Sequence, residues 1–165
     1  MLKKLTDFLN TEKVKYVAIT HSPAYTAQEI AALAHIPGRE VAKTVIVKVD
    51  GRMCMAVLPA SSMVDFTQLR QGIAAAKVEL ATEGEFKGMF PDCEVGAMPP
   101  FGNLFGMNVY VDKMLAEDSE IAFNAGTHKE LVRMDYKDFA RIVAPKLLAF
   151  GVRKKTHGAE PEVTA

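Results

Sequence analysis

Paired cysteines, net charge and long apolar runs are all missing from this chain, and each absence removes a class of protein. Its two cysteines, Cys54 and Cys93, stand far apart and form no CxxC pair, so neither a disulfide scaffold nor a cysteine-rich metal site is expected, and nine methionines fit a reducing compartment. Twenty lysines and arginines balance twenty aspartates and glutamates. No bulk positive field exists to hold long nucleic acid, DNA is not an expected partner, and any nucleic-acid contact must be local and small. No apolar run approaches membrane-spanning length, and Leu2-Lys3-Lys4 followed by an amphipathic stretch is not a signal peptide. The expected location is the cytoplasm, without a membrane partner.

Motifs for several chemistries are absent as well. There is no HExxH, GxxxxGK[ST] or GxGxxG, so neither a metal nor a nucleotide cofactor is expected. Ser22, Ser61, Ser62 and Ser119 lack a GxSxG context, and Cys54 falls in the middle of a predicted strand. A nucleophile supplied by the protein is therefore not expected, which points to water as the attacking group.

The composition that remains is that of one domain: 165 residues with 49% hydrophobic content are enough for a core without staples. Leu2, Leu5, Phe8 and Leu9 recur at helical spacing, and Tyr16 to Thr20 follows as a short strand. Thr26 with Glu29 predicts a capped helix carrying Ile30, Leu33 and Ala34 and ending before Pro37-Gly38, with His35 at its end. "KTVIVKV", Asp50-Gly51 and "RMCMAVL" predict an antiparallel hairpin. Ser62 with Asp65 and Thr82 with Glu85 predict two further helix starts. "VGAMPPFGNLFG" is a structured loop, "MNVYV", "EIAFN" and "ELVRM" are strands, and Asp135 starts a helix carrying Phe139 and Ile142 that Pro145 breaks. Residues 1–152 are expected to form the domain, and 153–165 a flexible tail.

Strand parity places Lys43 on one face with Val45, Val47 and Val49, and Thr44, Ile46 and Lys48 on the other. An ammonium on an apolar face either snorkels to water or lines a pocket, and parity alone does not choose between the two. His21 shares a face with Val17 and Ile19, and His128 follows "FNAGT", whose Gly126 can bring backbone N–H groups close to a ligand. His35 and His157 invite no catalytic role. A lysine and two glycine loops suit a site that grips a polar substrate and stabilises an oxyanion.

Taken in order, "HSPAYTAQE", "VAKTVIVKV", "VGAMPPFG" and "FNAGTH" resemble the YbaK and prolyl-tRNA-synthetase-associated family of editing domains, over nearly the whole chain. The resemblance implies an α+β fold, a curved mixed β-sheet flanked by helices. It implies a free-standing deacylase that hydrolyses the ester of a tRNA mischarged with a small amino acid, with the aminoacyl-tRNA acceptor end as partner and a synthetase as a further one. The family's catalytic lysine falls on Lys43 and its GxxxP loop on Gly96, Ala97, Met98, Pro99 and Pro100. The later glycine turn runs from Asn124 through Gly126 to His128. His21, Thr26 and Thr44 complete the expected substrate contacts, with Gly96 beside Lys43 as the catalytic pair. In some members a serine opens the glycine turn and an acidic residue follows; here Asn124 and Leu131 hold those places. Alanine-specific members carry asparagine after the lysine, where this chain has Thr44, so alanine specificity is not implied. A non-catalytic module that binds a tRNA end or an aminoacyl-adenosine is the alternative, and a small-molecule hydrolase of the same fold is a third reading.

Overall fold

The computed structural model describes residues 1–24 and 26–153; Tyr25 of the "HSPAYTAQE" motif and the expected tail from 154 to 165 lie outside the described residues. The first helix, α1 (Lys3–Thr11), buries Leu5 and Leu9, and β1 (Tyr16–Thr20) follows it. In α2 (Ala27–Ala34) the Thr26 hydroxyl accepts the Glu29 N–H at 3.1 Å, and the helix stops at His35, which takes a left-handed conformation with φ 54°. A side-chain cap of this kind is worth about 1 kcal/mol. Thr26 also donates to the Glu29 carboxylate at 3.0 Å.

Strands β2 (Ala42–Val49) and β3 (Arg52–Pro59) pair along their full length, from Ala42 opposite Pro59 to Val49 opposite Arg52. Asp50 and Gly51 both have positive φ, 48° and 85°, as a two-residue hairpin turn of the mirror-image type requires. The Asp50 carboxylate also accepts the Lys77 N–H at 2.8 Å, tying the turn to the approach of β5 (Val78–Leu80), which pairs with the far end of β2.

Ser62, expected to start a helix, instead lies buried in β4 (Ser62–Val64) opposite Arg153 of β10 (Gly151–Arg153). The cap of α3 (Phe66–Ile73) is Asp65, which accepts the Gln68 N–H at 3.0 Å. Arg153, expected in the tail, is thus the last residue of a strand. Thr82 and Glu85 form the full reciprocal capping box of the short α4 (Glu83–Phe86). Beyond the loop come β6 (Val109–Asp112), the unexpected short α5 (Lys113–Ala116), β7 (Glu120–Asn124), β8 (Glu130–Asp135), α6 (Tyr136–Val143) and β9 (Lys146–Leu148). Asp135 precedes α6 but makes no capping hydrogen bond, and Ala144, with φ 50°, ends the helix before Pro145.

Five strands form a mixed sheet in the order β5-β2-β3-β6-β9, parallel at β3–β6 and β6–β9 and antiparallel elsewhere. A second sheet, β1-β8-β7, is antiparallel. The two meet where Val41, just before β2, makes a parallel bridge to Ala122 of β7, reinforced by the Ala122 N–H donating to the Glu40 carbonyl at 2.9 Å.

Apolar clusters cover both faces. Leu5, Leu9, Ile46, Met55, Phe101 and Phe139 share the largest, under α1 and α6. On the opposite side Val47, Leu58, Leu69 and Phe150 pack beneath α3, while Ile30, Val41, Ala122 and Leu131 pack beneath α2. Phe101, fully buried against Phe123 and Phe139, is an anchor whose truncation to alanine should cost about 3–5 kcal/mol. One buried carboxylate locks the C-terminal strands: Asp112 accepts the N–H groups of Phe150 at 2.9 Å and Gly151 at 2.7 Å with one oxygen, and that of Met114 at 3.1 Å with the other. No helix among the described residues is long and apolar enough to cross a membrane.

Candidate functional site

Backbone hydrogen bonds draw together three of the sequence motifs. His21 and Ala24 donate their N–H groups to the carbonyls of Lys129 and His128, at 2.8 and 3.0 Å, which extends the β1–β8 ladder and lays "HSPA" along the end of the glycine turn. The GxxxP loop is clasped to the same turn from the other side. Glu94 donates to the Gly126 carbonyl at 2.8 Å, and Gly126 donates to the Ala97 carbonyl at 3.0 Å. His128 closes the clasp: its Nε2 lies 2.8 Å from the Val95 carbonyl, and its backbone N–H donates to the Glu94 carboxylate at 3.3 Å.

Glycine is required twice here. Gly96 has φ 84° and Gly126 φ 101°, and a Cβ on Gly126 would come within 3.0 Å of the Leu2 side chain. Ala97, Met98, Pro99 and Pro100 are all buried, so the loop is a packed wall. Its N–H groups are not idle. Gly96 donates to the Met98 sulfur at 3.3 Å and Ala97 donates to the Glu94 carbonyl at 3.0 Å. A thioether is a weak acceptor, so the Gly96 N–H is the donor a substrate oxygen could claim most cheaply.

The junction of the sheets sets Lys43 on the same face as Asn124, the first residue of the glycine turn. The Val41–Ala122 bridge is parallel, and Lys43 on β2 and Asn124 on β7 each stand two residues beyond it. Both therefore share the face of Val41 and Ala122, the side covered by α2. Ile46 is buried on the reverse face of β2, so the strand is apolar on both sides. Thr44 lies on that reverse face, away from Lys43, and the Thr26 hydroxyl is engaged in capping α2.

On the α2-covered face of the second sheet, Asn124, Leu131 and Ile19 form a row across β7, β8 and β1, with His21 two residues beyond Ile19. The His21 Nδ1 is 2.6 Å from the Ser22 carbonyl. Because a carbonyl only accepts, Nδ1 carries the hydrogen and Nε2 of the neutral ring is an acceptor. That Nε2 and the Asn124 Oδ1 are buried and make no hydrogen bond to the described residues.

Sequence reasoning missed Glu94 and Val95. They precede the GxxxP motif and act through a backbone carbonyl and a long-range carboxylate contact, for which no local signal exists. The cysteines are poor nucleophiles: burial and the neighbouring Asp92 push the Cys93 thiol up to about 11, and burial also raises that of Cys54. Among the described residues no three His, Cys, Asp or Glu side chains gather as metal ligands would. A cleft of about 340 Å³ touches the turn at Thr127, but Leu2, Lys4, Asp7 and Pro91 line it on the α1 side, away from Lys43 and Asn124.

A sequence model described as "Aminoacyl-tRNA editing domain" matches residues 21–142. The multifunctional Ser/Thr-tRNA deacylase ProXp-y of Escherichia coli K12 is 28% identical over 153 residues, 90% of this chain and 91% of that protein. The prolyl-tRNA editing protein ProX of Acetoanaerobium sticklandii is 26% identical over 82% of this chain and 85% of its own length. A proline–tRNA ligase of Bacillus mycoides is 26% identical over 54% of this chain, which spans only 16% of the ligase. Among solved structures, hypothetical protein APE2540 superposes with a TM-score of 0.81 at 18% identity, covering 91% of this chain and all of the other. A structure provisionally assigned as a trans-editing enzyme for prolyl tRNA synthetase gives 0.76 at 17% identity, over 93% and 96%.

Proposed function

This chain belongs to the aminoacyl-tRNA editing domain family and is an editing deacylase, and we propose that it hydrolyses the ester of a tRNA mischarged with a small amino acid, using Lys43 and the Gly96 loop. The observation that carries the site assignment is the clasp. Motifs far apart in sequence converge on one turn, beside the strand that bears Lys43.

In the mechanism the substrate carbonyl oxygen takes the Gly96 N–H from the Met98 sulfur, so that the donor meets charge as it develops. Lys43 holds the terminal phosphate or adenosine and offsets the negative charge of the tetrahedral intermediate. The ribose hydroxyl next to the ester orients the attacking water. Water oxygen bonds to the carbonyl carbon, the carbon–oxygen bond to the ribose breaks, and the ribose oxygen takes up a proton as the free amino acid leaves. The buried Ala97-Met98-Pro99-Pro100 wall supports a preference for small side chains, since it cannot retreat without opening the core.

Zero net formal charge fits contact with the acceptor end alone, with a synthetase as the partner that brings the tRNA. Charged tRNA as the substrate supports a cytoplasmic location. Engagement of both the Gly96 and Ala97 N–H groups favours one competing reading, a module that binds the aminoacyl end without cleaving it. A panel of alanyl-, cysteinyl-, seryl- and threonyl-tRNAs offered to wild type and Lys43→Ala separates the two. Turnover lost in the variant supports the deacylase, whereas tight binding of intact substrate supports the module.

A further inference from the structure

Glu94 stands where the accessible rim of the GxxxP loop meets the glycine turn. Glu94, Val95 and Gly96 are exposed, whereas the four residues that follow are buried. The backbone of Glu94 is held on both sides: its N–H donates to the Gly126 carbonyl at 2.8 Å, and its own carbonyl accepts the Ala97 N–H at 3.0 Å. Its carboxylate is aimed at the turn. One oxygen accepts the His128 backbone N–H at 3.3 Å and lies 3.9 Å from His128 Nε2, whose hydrogen goes to the Val95 carbonyl. The side chain still keeps 50% of its surface open, so a substrate group can reach it.

The same imidazole nitrogen locates the carboxylate against Gly96. A Cβ on Gly96 would stand 3.9 Å from His128 Nε2, so that position and the Glu94 oxygen are each 3.9 Å from one atom. The proposed oxyanion donor and a negative charge are therefore neighbours. Other carboxylates around the turn are matched: Glu130 pairs with the N-terminal ammonium, Glu120 with Arg133 and Asp7 with Lys3, while Asp92 lines the cleft on the α1 side. Glu94 pairs with no lysine or arginine among the described residues. In an aminoacyl ester the α-nitrogen sits two bonds from the carbonyl carbon, about 2.5 Å away, and is protonated below about pH 8. It needs a negative or hydrogen-bonding partner when the ester docks. With the carbonyl oxygen on the Gly96 N–H, turning the ammonium towards Glu94 meets that need and keeps it from the like charge of Lys43.

We propose that Glu94 recognises the α-ammonium of the aminoacyl ester, so that the site distinguishes an amino-acid ester from one of the same shape that lacks this charge. The inference rests on the editing reading above. A charge-assisted hydrogen bond of this kind corresponds to about tenfold or more in binding.

Its test compares alanyl- and seryl-tRNA with the lactyl and glyceryl esters of the same tRNAs, in which a hydroxyl replaces the α-ammonium at nearly equal size. Wild type and Glu94→Gln are assayed for kcat/KM, and the ratio between the two proteins on each ester cancels differences in intrinsic reactivity. Glutamine keeps an oxygen that can accept the His128 N–H and removes only the charge. The expected result is an unchanged melt and a fall of about tenfold or more on both amino esters, carried mainly by KM, with the hydroxy esters changed less than about twofold. Equal losses on both classes would assign Glu94 to holding the loop and overturn the proposal, as would no loss on either. Binding of non-hydrolysable 3′-alanyl-amide and 3′-lactyl-amide adenosines is measured in parallel. Should Glu94→Gln not fold, that pair on wild type decides: a lactyl analogue bound as tightly as the alanyl one overturns the role of Glu94. A folded wild type that cleaves no ester overturns the editing reading instead, and the two analogues still report on Glu94, whose role is overturned if wild type and Glu94→Gln bind the alanyl form equally.

Discussion

His128 Nε2 lies 2.8 Å from the carbonyl oxygen of Val95, and because that oxygen can only accept, the ring must carry its hydrogen on Nε2. The contact spans 33 residues of sequence and fixes the carbonyl just before Gly96 against the glycine turn.

Gly96→Ala tests what that fixing is for. A Cβ there would stand 3.5 Å from the His128 ring, an ordinary contact, so the penalty is the positive φ, about 1–2 kcal/mol if the backbone stays in place. The expected outcome is a modest fall in Tm with a larger fall in kcat, of tenfold or more, as the N–H leaves its direction. Equal losses in proportion to unfolding would assign Gly96 to the fold alone.

Met98→Leu removes the sulfur that occupies the Gly96 N–H while keeping volume in a buried position. Stability should change by less than about 1.5 kcal/mol, and kcat should hold or rise, because a competitor for the donor is gone. A tenfold loss of kcat would mean the thioether takes part in catalysis.

Asp112→Ala strips the acceptor from three backbone N–H groups, those of Met114, Phe150 and Gly151. The buried Phe150 N–H left unpaired costs about 1–3 kcal/mol and the half-buried N–H groups of Met114 and Gly151 cost less, so a loss of about 2–4 kcal/mol is expected in denaturant unfolding. Activity of the fraction that remains folded should be little changed, since Asp112 ends β6 next to the β9 edge of the five-stranded sheet and makes none of the hydrogen bonds of the clasp.

Much of this fold could be read locally and part of it could not. The Asp50-Gly51 hairpin and the caps at Thr26 and Thr82 were legible because their physics lies within four residues: positive φ in the turn, and a side-chain oxygen reaching an N–H three residues on. Ser62 matched the same capping pattern and was misread, because its pairing with Arg153 is long-range. The three-residue strands β5, β9 and β10 are too short to carry a period, and the carboxylates of Asp50 and Asp112 that pin them act across distant sequence. Within the site, the lysine and the glycines stood out as residue types at odds with their surroundings. The Val41–Ala122 junction that sets Lys43 level with Asn124, and the sulfur on the Gly96 N–H, needed the fold.

Acid stability offers a check on the hairpin's outer edge. Glu85 is held down to about 2 by the hydrogen bond from Lys48, at 2.6 Å, and by those from Thr82. A carboxylate depressed in the folded state stabilises above its unfolded value near 4.5 and loses that contribution as pH falls towards 2. The Tm of wild type should therefore drop more steeply than that of Glu85→Gln between those limits, and the difference should shrink in high salt. Parallel curves would show that the pair does not contribute.

Lys43 is the residue on which the proposed hydrolysis most directly depends. Deacylation of seryl- and threonyl-tRNA by wild type and by Lys43→Ala, with folding of both verified by circular dichroism and thermal melts, is the decisive measurement. Loss of a positioning or charge-stabilising contact predicts a fall of about two to three decades in kcat on every ester, with the melt little changed. A folded Lys43→Ala protein that deacylates at the wild-type rate would contradict the account.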